Sequence, residues 1–176
     1  GNSEKFQLYN NYLHHYPHQM GIFLIQQAVF SVCNAFGFTN FFITACILGH
    51  LLFMVMHIAS FKYLDENYSA HRAIFYLLLA AIYVPMYLQS SVSYTDTYSV
   101  WAAPCLLLFG TRAFKADKTS DIIFYSALSG VLAGLALQIK TTAVFILLAM
   151  IIQLITTSAR KHQLAAVGII LAALFL

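Results

Sequence analysis

Apolar residues run along this chain in long blocks broken by short polar turns. The blocks fall at about 18–38, 39–61, 73–93, 97–114, 121–139, 141–158 and 164–176. Each middle block approaches the roughly 20 residues that a helix needs to cross a hydrocarbon core of about 30 Å. The pattern predicts an all-α fold, a polytopic transmembrane helix bundle in a single membrane domain. Five full spans are expected at 39–61, 73–93, 97–114, 121–139 and 141–158, with a truncated one at 164–176. Pro85, inside the second of these, is expected to kink it and splay its end.

The first block has a different pattern. On a helical projection Gln19, Gln26, Gln27, Ser31 and Asn34 share one arc, while Ile22, Ile25, Ala28, Val29, Val32 and Phe36 fill the other. Phe23 and Phe30 intrude on the polar arc. An amphipathic helix lying at the membrane surface fits this better than an all-round apolar span. Residues 1–37 are therefore read as an outer loop and juxtamembrane helix, with Gly37 as its stop and the first span beginning near Thr39.

Composition agrees with the pattern. Hydrophobic residues make up 61% of the 176 and charged ones 9%, against about 25% charged in ordinary globular domains. A soluble domain of this length could not bury that much apolar surface. The chain begins at Gly1 without a methionine and stops inside the run LAAVGIILAALFL, so it is read as a piece of a longer membrane protein. Its start, GNSEKFQLYNNY, has no basic and apolar signal pattern. Cys33, Cys46 and Cys105 sit in apolar runs without metal or redox spacing and read as packing or lipid-facing residues.

Charge orients the spans. Lys62, Arg72, Arg112, Lys115, Lys118, Arg160 and Lys161 fall in the turns 62–72, 112–118 and 160–162. These alternate with the turns that carry Asp96 and Lys140. By the positive-inside bias the first set is cytoplasmic and the second faces outward. Asp96 and Lys140 are then expected to share the outer face, with Glu4 and Lys5 as its other formal charges.

Three stretches line up in order on that face: YNNYLHHYPHQMGIFLIQQAVF, SVSYTDTYSVWAAP and GVLAGLALQIKTTAVF. Their order resembles the GT-C superfamily of integral membrane glycosyltransferases, which includes protein O-mannosyltransferases and lipid A aminoarabinose transferases. The nearer resemblance is to uncharacterised bacterial members. In that family a Tyr-Pro or His-Pro element leads into a juxtamembrane helix, matched here by Tyr16, Pro17, His18 and Gln19, then Gly21. A later outer turn carries Thr-Asp, here Thr95 and Asp96. A helix rich in Gly and Leu ends in Ile-Lys, here Ile139 and Lys140. The resemblance covers about residues 8–145. It departs at the family's principal catalytic acid, which lies upstream of the Tyr-Pro element and which Glu4 does not convincingly supply. Thr141 and Thr142 also stand where Pro or Gly-Pro often follows the lysine. The first departure fits a fragment lacking its first span, which would be inactive alone.

The resemblance implies a membrane glycosyltransferase that moves a sugar from a polyprenyl-phosphate donor to an acceptor outside the membrane, with inversion. Asp96 would be a supporting acid, and Lys140 a counter-charge for the lipid phosphate. Each has a plainer reading: Asp96 as a helix N-cap, Lys140 as an interfacial lysine snorkelling to head groups. Tyr16, His18 and Gln19 would shape the substrate cleft. Tyr83, Tyr87, Tyr94, Tyr98 and Trp101 read as an aromatic belt, in which Tyr94, Tyr98 or Trp101 could stack on a sugar. His14, His15 and His18 lack a carboxylate partner, and Pro17 breaks the helix that would align two of them, so no metal or other cofactor is expected. Gly130 and Gly134 read as a helix-packing motif, and His50 and His57 as interhelical hydrogen-bonding residues. The partners expected are a lipid-linked sugar donor and the membrane, in a bacterial plasma membrane, without nucleic acid. The rival class is a transporter or lipid flippase. It would place ionisable groups near mid-span or show inverted repeats, and the chain has neither an Asp, Glu, Lys or Arg mid-span nor a visible repeat.

Overall fold

The computed structural model of the chain describes residues 20–92, 94–156 and 168. All regular structure among them is helical, as the apolar pattern predicts. Helix α1 (Met20–Ala35) is the expected first helix. Its 16 residues reach about 24 Å at 1.5 Å per residue, short of a hydrocarbon core of about 30 Å. It stops where the sequence places its stop. Phe38 N–H donates to the Cys33 carbonyl at 2.9 Å and Gly37 N–H to Asn34 at 3.0 Å. This is a Schellman ending, which needs a left-handed residue, and Gly37 supplies it at φ 84°.

Helix α2 (Phe41–Asn67) follows, started by Asn40, whose side chain accepts from Ile43 N–H at 3.2 Å. Its 27 residues run about 40 Å. The block expected as one span at 73–93 is two helices, α3 (Ala70–Ile82) and α4 (Val84–Ser90), bent by 72° at Tyr83. Pro85 explains the break. It lacks an N–H and its ring clashes with a carbonyl one turn back, so a fresh helix starts with proline in its first turn. The block expected at 97–114 is also divided, into α5 (Thr95–Ser99) and α6 (Ala102–Lys115). Pro104 acts there in the same way, because it cannot donate to the Val100 carbonyl. Helices α7 (Thr119–Ile139) and α8 (Ala143–Thr156) complete the described chain. By length and composition α2 and α7 can each cross a membrane, and α3 with α4 makes a third crossing if the bent pair is one span.

The core gathers Phe53, Met56 and Ala59 of α2 with Tyr98, Trp101, Cys105, Leu108, Ala136 and Ile139. Helices α6 and α7 form its most closely packed pair. Small residues make this possible, with Gly110 and Ala113 buried on α6 and Ser126, Ser129, Gly130, Ala133 and Gly134 buried on α7. His57 Nδ1 meets the Tyr76 hydroxyl at 2.9 Å and so bridges α2 and α3. His50 departs from expectation: its Nδ1 donates to the Cys46 carbonyl at 2.7 Å, inside its own helix.

Two of the basic turns meet at one end of the bundle. Arg112, in the last turn of α6, grips the Glu66 carboxylate with Nε at 3.0 Å and with Nη2, a bidentate pair. Lys115 Nζ adds a bond to the Glu66 carbonyl at 3.4 Å. Glu66 lies in KYLDEN, the polar end of α2 beyond the apolar stretch closing at Phe61. The Arg112 hydrogen bond, with the charges of Arg112, Lys62 and Lys115 behind it, holds the Glu66 carboxyl below the usual carboxylate range. The third basic turn, 160–162, and the run 164–176 apart from Gly168 lie outside the described residues.

Candidate functional site

The site is built around the end of α4. A helix ends with carbonyls that have no partner of their own, and here side chains take them up. Ser90 Oγ donates to the Tyr87 carbonyl at 2.6 Å, Thr97 Oγ1 to Gln89 at 3.1 Å, and Cys46 Sγ to Ser91 at 3.4 Å. The last two bonds tie α5 and α2 to the end of α4. Close passage of α2 depends on Gly49. A Cβ there would lie 2.1 Å from the Ser90 carbonyl oxygen and 3.3 Å from Thr97 Cγ2. With Thr95, Thr97 and Tyr98 turned inward and buried, Asp96 is left half-exposed on the short helix.

The other half of the site comes from α7. Ile139 is buried and closes the helix. Lys140 N–H donates back to the Ala136 carbonyl at 2.8 Å while the chain leaves in an extended conformation, φ −150° and ψ 119°. The ammonium of Lys140 forms an ion pair with Asp96 Oδ1. The Lys140 and Asp96 side chains are 31% and 39% exposed, so the pair is neither dry nor fully solvated. Helix α1 reaches the same place. A Cβ on Gly21 would lie 2.6 Å from the Gln138 carbonyl oxygen, so the start of α1 seats directly on the last turn of α7.

The structure thus joins Asp96 and Lys140, two residues the sequence assigns to one face. Asp96 is not the N-cap of its helix. Tyr94 occupies that position, without a side-chain cap, and Asp96 lies in the first turn. Tyr94, two residues before Asp96, is 57% exposed. Tyr98 and Trp101 differ from the reading that put them in a surface belt. Tyr98 is 0% exposed, and Trp101 is buried beside it with its indole N–H donating to the Tyr98 carbonyl at 2.6 Å. No face of either ring is open to a sugar, because their apolar bodies complete the core between α2, α6 and α7. Tyr16, His18 and Gln19, with His14 and His15, lie outside the described residues.

Sequence reasoning missed Gly49, Ser90 and Thr97, which hold the acid in place. Gly49 had a readable signal, a lone glycine within the apolar run CILGHLLF, which marks a close approach. Chemically, the pair offers an ammonium with three donors and a carboxylate that accepts. The ammonium can bind a phosphate as a point charge while the carboxylate fixes its position or accepts from a hydroxyl.

An all-helical bundle of apolar helices, ionic at both ends, defines an integral membrane protein. Residues 18–176 match the dolichyl-phosphate-mannose-protein mannosyltransferase family, and the chain belongs to it. Membership indicates a membrane glycosyltransferase. No curated protein and no solved structure matched the chain.

Proposed function

We propose that this protein transfers a sugar from a polyprenyl-phosphate donor to an acceptor hydroxyl on the outer side of a bacterial plasma membrane. The observation that carries the proposal is the ion pair of Asp96 with Lys140, formed at the end of the α6–α7 hairpin away from the basic Glu66–Arg112 cluster. Helix α7 has 21 residues, about 31 Å of rise, which matches the hydrocarbon thickness of about 30 Å. The two ionic clusters therefore suit opposite surfaces of one bilayer, and the positive-inside bias puts the basic one in the cytoplasm. In this reading α3 with α4, α5 with α6, and α8 supply the crossings expected at 73–93, 97–114 and 141–158.

In the reaction, the acceptor oxygen attacks the anomeric carbon as the bond from that carbon to the phosphate oxygen breaks. The electron pair of the broken bond leaves with the lipid phosphate, and the acceptor proton passes to a carboxylate base. Attack opposite the leaving group inverts the anomeric centre. Lys140 faces the phosphate oxygens, where negative charge grows, and so stabilises the transition state more than the bound donor. Asp96 holds that ammonium in position and accepts from the incoming hydroxyl. Tyr94 is one exposed aromatic of this end available to a sugar, and Tyr16, His18 and Gln19 belong to the loop over the cleft.

Native mass spectrometry of the gently extracted full-length protein tests the donor class. A polyprenyl phosphate or its sugar conjugate should co-purify and be lost in Lys140→Ala. Ordinary phospholipids alone, in both forms, would remove the dedicated donor site.

A further inference from the structure

A second concave surface lies between α1 and the start of α2, apart from the Asp96–Lys140 pair. Its volume is about 400 Å³, within the range of about 300–1,000 Å³ typical of small-molecule sites. Phe23, Gln26, Gln27, Phe30, Ser31 and Asn34 line it from α1, and Phe41 lines it from α2. The six α1 positions follow helical spacing along a single stripe. From Phe23 to Asn34 that stripe is about 16 Å long. The Phe30 and Phe41 rings lie 5.1 Å apart, tilted by 32°, and join the two helices across the cleft. Phe30, which intrudes on the polar arc of α1, is therefore an aromatic rung of the cleft together with Phe41.

The chemistry of the lining is specific. It contains no ionisable side chain, and α1 as a whole carries no charge. Surface helices that bind anionic lipid head groups are rich in Lys and Arg on the polar face, and this one has neither. The exposed carboxamides of Gln27 and Asn34 and the Ser31 hydroxyl each donate and accept, which suits a ligand whose hydroxyls do the same. Aromatic faces carry partial negative charge and take the C–H face of a pyranose. We infer that the α1–α2 cleft binds a neutral oligosaccharide. This binding site does not depend on the transferase reading.

Helix α1 separates the two sites. Its Gly21 face seats on Gln138, two residues before Lys140, whereas the lining stripe occupies the opposite side of the helix. Binding in the cleft is therefore independent of the ion pair.

The test uses the full-length protein in nanodiscs, with uncharged linear trisaccharides, maltotriose and mannotriose, as probes. Binding is followed by titration calorimetry and saturation-transfer NMR. Saturable binding of at least one probe is expected. Gln27→Ala with Asn34→Ala should weaken it about tenfold, the effect of losing two hydroxyl hydrogen bonds, with melting unchanged because both side chains are exposed. Lys140→Ala should leave it intact. No saturable binding, or binding indifferent to the double substitution, overturns the inference. Binding lost in Lys140→Ala alone also overturns it, since the sugar would then sit at the ion pair. Donor-dependent transfer is measured in parallel. Binding without transfer sinks the transferase reading and upholds the cleft, whereas transfer without binding sinks the cleft alone.

Discussion

Gly49→Ala adds one methyl group where α2 crosses the end of α4. The new Cβ would stand 2.1 Å from the Ser90 carbonyl oxygen, a distance that real Cβ atoms essentially never show. That oxygen belongs to the backbone and cannot rotate away. The helices must therefore separate by roughly 1 Å, and such overpacking costs about 1–3 kcal/mol. The displaced segment carries Thr97, whose hydroxyl holds the Gln89 carbonyl at 3.1 Å, and Asp96 is its neighbour. A shift of about 1 Å at a reacting group is enough to lower turnover on the order of a hundredfold. Two measurements on the full-length protein in nanodiscs check this: the melting temperature, and radiolabelled sugar transfer at saturating donor. Melting should drop by several degrees and transfer by about two orders of magnitude. Wild-type melting together with wild-type transfer would refute the argument, since α2 would then have room the structure denies. Lower melting with full transfer would show that Gly49 supports the fold but not the placement of Asp96.

Asp96→Asn should cut transfer about a hundredfold by releasing Lys140, yet barely move melting, because a partly exposed ion pair contributes only about 0–1 kcal/mol; unchanged transfer would take Asp96 out of the site. For orientation, a cysteine at Tyr94, which is exposed, should react with an impermeant maleimide in intact cells, and one at the exposed Thr119 should not; the reverse pattern would invert the proposed topology. At the basic end, Arg112 lowers the Glu66 carboxyl below its usual range. The stability it lends is complete above the unfolded value and fades as pH falls through the lower folded one. Acid should thus depress the melting temperature of the wild type more than that of Glu66→Gln, and parallel acid limbs would discount the pair.

What the sequence reveals and what it conceals divide along a physical line. Apolar block length, proline and turn charge act locally, so α1, the Gly37 stop and the break near Pro85 can be read from order alone. Parity is nearly as direct. Once the basic turns choose one surface, Asp96 and Lys140 must share the other, and the structure pairs them. The direction in which a side chain turns is a different matter. Tyr94 and Tyr98 sit four residues apart in the same short stretch, but one is exposed and the other enclosed. A membrane surface and a protein core both select tyrosine and tryptophan, and only the arrival of α2, α6 and α7 decides between them. The bond of His50 to its own helix is concealed for the same reason, and so is the meeting of α1 with Phe41 that gives the polar arc its second wall.

On the proposed topology the α6–α7 hairpin also acts as a depth gauge. It carries an ionic latch at each end, Arg112 on Glu66 and Lys140 on Asp96, and its length is fixed by helical rise. Each latch resists entry into hydrocarbon, so lipid thickness governs how the hairpin stands. A thin bilayer makes it lean, and a thick one draws the Asp96–Lys140 end toward the acyl chains, where water and salt are scarce. On the proposed transferase reading, the rate of transfer at that end then follows the lipid around it as well as the residues within it.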